Sequence, residues 1–197
     1  MTRVIRYDAT DGEALSEAEI ISRQQVMETI QFLKGYIPGF KDAYLINCGT
    51  QIGVRESRRV IGEYVLTGED VVKGMTFEDV IALGSYPIDI HSPDGADLDV
   101  IKMNPGTIYH IPYRSILNKT VPNLLVAGRC LSATHEALAS ARVTPTAMLV
   151  GQAAGTAAAI AAKEGKLPRE IEIEKFKQRS GNKGVICQRK TFHDFNN

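Results

Sequence analysis

Residues 123–155, NLLVAGRCLSATHEALASARVTPTAMLVGQAAG, constrain the fold of this chain more than any other stretch. A short apolar run at 124–127 meets Gly128 and Arg129, crosses a polar segment, and enters a helix rich in Ala, Gly and Thr through Thr144 and Pro145. Thr144 suits an N-cap, and Pro145 suits the first helical position, where its missing N–H costs nothing and φ is already helical. The first amides, around Thr146, Ala147 and Met148, would then point free N–H groups and the positive end of the helix dipole outward, which makes an anion site. Gly151, Ala154, Gly155, Ala158 and Ala162 recur at helical spacing and let a neighbouring element lie unusually close. A small-residue helix buried against a sheet would show the same pattern, so the helix alone leaves both readings open. A membrane span is set aside. The Ala-rich run is shorter than the roughly 20 residues a bilayer needs, carries Gln152 and several Thr, and ends at Lys163 and Glu164.

With 197 residues, 44% of them hydrophobic and 23% charged, the chain can bury a core and make one or two compact units. Its formal charge of zero gives no electrostatic case for nucleic acid. Lys175, Lys177, Arg179, Lys183, Arg189 and Lys190 follow one another without an intervening acid, and a solvated tail is expected there. Cys48, Cys130 and Cys187 form no C-x-x-C pair and have no metal spacing, which fits reduced thiols of a cytoplasmic protein; Cys130, beside the predicted helix approach, keeps a redox reading open. The N-terminus lacks an apolar h-region, so export is not expected.

Along the chain, Asp11 and Gly12 signal a turn. Ser16 and Glu19 predict a capping box for a helix that keeps Ile20, Met27, Ile30 and Leu33 on one face until Gly35. Pro38 and Gly39 turn the chain into a strand at 43–47, and a second strand is expected at 58–66, closed by a turn at Gly68, Glu69 and Asp70. Thr76 predicts the start of a short helix containing Phe77, Val80, Ile81 and Leu83. Short strands are expected at 88–91 and 107–111, flanking a loop at 92–96. Residues 119–123 and 165–168 mark the entry to and exit from the region of the Ala-rich helix.

The residues able to carry chemistry are mostly His and Arg. Arg55, Arg58 and Arg59 crowd one segment with Glu56. In a strand Arg55 and Arg59 would share a face and could grip a carboxylate or phosphate, or could pair with acids structurally. His135 and Arg142 bracket the approach to the Ala-rich helix. His91, and His110 with Tyr113 and Arg114, could act as general acid or base near neutral pH, or could be buried hydrogen-bonding groups. No H-x-x-x-H or H-E-x-x-H spacing occurs, and no metal is expected.

LVAGRCLSATHEA followed by RVTPTAMLVGQAAGTAA resembles the C-terminal FAD-binding segment of FAD-dependent oxidoreductases related, more distantly, to the fumarate reductase and succinate dehydrogenase flavoproteins. The resemblance extends through QIGVRESRRVIGEYVLTGEDV, GSYPIDIH and YHIPYRSIL and covers roughly residues 40–165. It implies that Gly128, Arg129, Val143, Thr144, Pro145, Thr146, Ala147 and Met148 hold the flavin edge. By the same resemblance Arg55, His91 and His110 fall in segments of the substrate side, and His135 and Arg142 would lie near the flavin, although the spacing around Arg142 departs from that of the relatives. A cation at Arg142 would stabilise negative charge on the reduced flavin. Such enzymes open with a strand and a G-x-G-x-x-G turn, yet the 17 glycines of this chain never occur as G-x-G.

The expectation is therefore an α+β chain that forms the C-terminal portion of a flavoenzyme. A substrate-side region with a mixed sheet would occupy residues 1–120. The final strand and Ala/Gly-rich helix of an incomplete Rossmann-like FAD-binding fold would occupy 121–165, and an extension 166–197. The whole enzyme would pass hydride between FAD and a polar small molecule, anionic if the arginines grip it. The chain alone would hold FAD weakly or not at all, be inactive, and associate with a missing N-terminal half or with itself, without nucleic acid or membrane partners. The competing reading is a noncatalytic interaction module.

Overall fold

The computed structural model describes residues 3–91, 98–101 and 103–181 as an α+β protein. Its contacts divide it into two compact units, Met1–Ser57 and Arg58–Asn197.

The first unit is built on α1 (Gly12–Tyr36), which begins earlier than expected because Asp11, not Ser16, caps it. The Asp11 carboxylate accepts the amides of Glu13 and Ala14. Ser16 lies inside the first turns and gives its hydroxyl to the Gly12 carbonyl at 2.7 Å, so the expected capping box does not form. Glu19 instead binds Arg23 four residues on and takes the Ile52 amide at 2.7 Å. The helix passes through Gly35 and ends at Tyr36. Ile20 and Met27, on the expected buried face, are 59% and 54% exposed, and Ala18 is the buried position. Residues 43–47 form no strand.

In the second unit the expected turn at Gly68 is a short helix, α2 (Gly68–Lys73). Thr67 and Asp70 cap each other's backbone, and the helix ends at left-handed Gly74. The helix expected from Thr76 is instead β1 (Val80–Gly84), paired antiparallel with β4 (Tyr109–Pro112) across a bulge between Val80 and Ala82. Its apolar run carries no decisive period, and pairing with β4 overrides the helical reading. A hairpin joins β2 (Ile88–His91) to β3 (Leu98–Ile101). Both pairs are antiparallel, so the expected mixed sheet is absent among the described residues.

Neither expected strand at 58–66 nor that at 124–127 forms. The two runs make only isolated bridges, Gly62 to Asn118, Leu66 to Ala133 and Leu117 to Leu125, and the first bends at residues 63 and 64. The pairing is cut short where the Asn118 side chain takes the amides of Thr120 and Val121 and turns the chain. An unexpected helix, α3 (His135–Ala141), follows, capped by Thr134. The Ala-rich helix is α4 (Thr144–Glu164); its cap is Val143, one residue before Thr144, and its C-terminus closes on left-handed Gly165. Part of the expected solvated tail is a packed helix, α5 (Ile173–Gly181), which buries Phe176. Its Lys175 pairs with Glu164 and its Lys177 with Glu174. The expected loop at 92–96 and the residues Lys183, Cys187, Arg189 and Lys190 lie outside the described residues.

The core lies where β1 and β4, α3 and α4 meet, with Ile81, Ile111, Leu138, Val150 and Ile160 fully enclosed. Tyr109 sets the spacing of these layers. Its ring lies opposite Gly84, where an added Cβ would fall 2.2 Å from the ring, and its hydroxyl bonds Ser140 of α3 at 2.7 Å. Ser140 in turn reaches the Tyr86 carbonyl at 2.5 Å. Among the described residues no helix is long and apolar enough to cross a membrane.

Candidate functional site

The start of α4 differs from that of the three helices before it. α1, α2 and α3 each receive a side-chain oxygen cap and carry an acid in the first turn. α4 has neither, because Val143 offers no acceptor and no acid follows it. In its first turn the Thr144 and Thr146 amides are uncapped and lie at the positive end of the helix dipole; Pro145 has no N–H, and the Ala147 amide, expected to be free, donates to the Val143 carbonyl at 2.9 Å. Thr144 and Pro145 are exposed, Met148 is 69% exposed, Thr146 is only 4% exposed, and Val143 and Ala147 are half-buried. The turn thus has an open side and a buried side.

Arg142 caps the C-terminus of α3 and sits one residue before the α4 cap. Its guanidinium donates to the Asp89 carbonyl of β2 at 3.0 Å, which fixes the corner between the two helices.

Gly128 opens a single 3-10 turn, Gly128–Cys130, that packs against α4. Its φ is +77°, a conformation that favours glycine, although a Cβ there would meet open space. Arg129 is exposed and has no hydrogen-bond or ion-pair partner among the described residues. Cys130 gives its thiol to the Ala127 carbonyl at 3.1 Å.

Beyond this turn the chain runs beside residues 58–66. The Val60 amide donates to Cys130, Leu66 to Ser132, and Thr134 back to Leu66, at 2.9, 3.0 and 2.8 Å. Arg59 follows the same path and donates to the Ala133 carbonyl at 3.1 Å. His135 is exposed at the first position of α3, next to Glu136. The Glu136 carboxyl is held below its usual range, chiefly by its own backbone N–H and then by the Thr134 hydroxyl, with the charges of His135 and Arg59 adding.

Arg59, expected on a strand face shared with Arg55, belongs to this cluster instead. The expected strand face shared by Arg55 and Arg59 does not form. Arg55 is exposed in the first unit, while Arg59 belongs to the second.

The remaining histidines stand on the strands. His91 ends β2 opposite Leu98. His110, on β4, accepts the Phe77 amide on Nδ1 at 3.2 Å, and burial lowers its pKa from the usual histidine value. Tyr113 gives its hydroxyl to the Pro168 carbonyl at 2.8 Å, and Arg114 pairs with Asp79 at 3.0 Å while lying over the Tyr64 ring. Burial pushes Tyr109 up to about 12, so its hydroxyl stays protonated and serves as a hydrogen-bonding group. Among the described residues no three His, Cys, Asp or Glu gather as a metal cluster would require.

An open helix N-terminus and an unpaired arginine on a neighbouring turn suit a ligand with anionic character. A family model for FAD dependent oxidoreductase matches residues 2–179, and the chain belongs to that family. Searches among curated proteins and among solved structures found no significant match.

Proposed function

We propose that this chain is the C-terminal portion of a flavoenzyme, distantly related to the fumarate reductase and succinate dehydrogenase flavoproteins, and that α4 begins where the flavin edge is held. The observation that carries the reading is the uncapped, acid-free start of α4, together with the free cation of Arg129 on the turn packed against that helix. These groups fit the anionic, hydrogen-bond-accepting edge of FAD. Gly128 and Arg129 with Val143, Thr144, Pro145, Thr146, Ala147 and Met148 would form that side. Gly151 and Gly155, where an added Cβ would meet nothing within 4 Å, support close approach of a further element along α4. That element would be the missing nucleotide-binding half or a second copy of the chain.

When bound, FAD supplies hydride transfer at N5. The chain's own groups would do the positioning. Arg142, fixed through the Asp89 carbonyl, supplies a cation beside the helix start that favours added negative charge. His135 at the head of α3, with Arg59 pinned to Ala133, provides the polar surface for a small substrate. The setting we assign is cytoplasmic. Rejoining the chain to a nucleotide-binding half tests the reading. Ala147→Asp should expel flavin, since it brings a carboxylate to the helix start. Arg142→Ala should keep flavin but lower its midpoint potential. Retention of flavin by Ala147→Asp at unchanged affinity would remove the helix start from the site.

A further inference from the structure

The segment 75–79 links the left-handed end of α2 to β1, and β4 holds it through one residue. The His110 amide donates to the Met75 carbonyl at 2.9 Å, and the Phe77 amide donates to Nδ1 of the His110 ring at 3.2 Å. A ring nitrogen that accepts is unprotonated, so the proton of this imidazole sits on Nε2. Protonation would turn Nδ1 into a second donor facing the Phe77 N–H, and the hydrogen bond would be lost. We infer that His110 is a pH-sensitive latch, holding the Phe77 middle of segment 75–79 on β4 when its ring is neutral and releasing it when the ring is protonated.

The surrounding charges are engaged elsewhere. On α2, Glu69 pairs with Lys73, and Asp70 takes the Tyr64 hydroxyl and the Thr67 amide. On the segment itself Asp79 pairs with Arg114, and Glu78 is exposed. β1 carries no charge, and His110 is the one titratable side chain of the middle of β4, whose Tyr109 is held by Ser140. Partial burial of the ring adds to the preference for the neutral form. The ends of the segment are tied independently, by Met75 to the Asp70 carbonyl at 2.9 Å and by Tyr113 to the Asp79 carbonyl at 2.7 Å. Release therefore frees the middle of the segment, where the Phe77 ring meets the edge of Tyr64 at 5.1 Å.

Amide hydrogen exchange of the full chain, read as protection factors from pH 7.5 to 4.5, tests the latch. Phe77 should lose protection by up to about tenfold per pH unit while the ring titrates, and Val150 in α4 should not follow. His110→Asn should hold the Phe77 amide at all these pH values, because the Asn Oδ1 can take the place of Nδ1 and does not titrate. A pH-independent Phe77 amide in the wild type, or a protonated Nδ1 by ¹⁵N shift at pH 7, would overturn the inference. Both of these wild-type measurements decide it even if the variant fails to fold.

Discussion

Gly84→Ala probes the way the second unit is held together. Gly84 does not occupy the left-handed region, so alanine meets no backbone objection there. The obstacle is Tyr109: an added methyl would fall 2.2 Å from Cζ, 2.4 Å from the hydroxyl and 2.7 Å from Cε2. The ring cannot swing aside cheaply, because it is fully buried and its hydroxyl is bonded to Ser140. Overpacking of this kind costs about 1–3 kcal/mol. Displacement of the hydroxyl adds about 1–2 kcal/mol for a buried bond left unmade. The sum, about 2–5 kcal/mol, is a large share of the roughly 5–15 kcal/mol available to a domain. Urea unfolding followed by circular dichroism should show a matching fall in midpoint, with Tm lower by about 10–20 °C. In a Tyr109→Val background the same alanine should cost under about 1 kcal/mol, because the ring it strikes is gone. An unchanged midpoint in Gly84→Ala, or equal costs in the two backgrounds, would refute the reasoning.

Three further outcomes follow from the same contacts. The folded His110 lies below the usual imidazole value of about 6.5, so its contribution to stability is complete above that pH, declines as pH falls through the folded value, and is then constant; chemical unfolding at stepped pH should show this and His110→Asn should remove it. Thr134→Ala should cost about 1 kcal/mol in thermal unfolding, because the Ala137 amide loses its cap at the head of α3. Arg129→Ala should leave unfolding within about 0.5 kcal/mol of wild type, as an exposed side chain without a partner among the described residues, and under the proposed function it should weaken flavin retention once the chain is joined to a nucleotide-binding half.

Local signals were readable in the sequence where a single residue decides the backbone. Pro145 and Gly165 mark the two ends of α4 because one fixes φ and the other accepts a left-handed turn. Asp11 outcompeted Ser16 because both are good caps and only the fold chooses between them. β1 is not legible locally, since VIAL suits a helix or a strand equally until β4 pairs with it. α3 went unseen because HEALASA has little periodicity of its own and is defined by Thr134 and by burial. In the candidate site the start of α4 was legible from Thr144 and Pro145, although the cap proved to be Val143. The contact between Arg59 and Ala133 joins residues 74 apart, and nothing local announces it.

The most direct test of the account is an amide NMR titration of this chain with FAD. The predicted result is millimolar-range binding with shifts confined to Gly128, Arg129 and the amides of residues 143, 144 and 146–148, abolished by Ala147→Asp. Shifts confined to other segments, or none at Thr146 and Ala147 at saturating flavin, would contradict it.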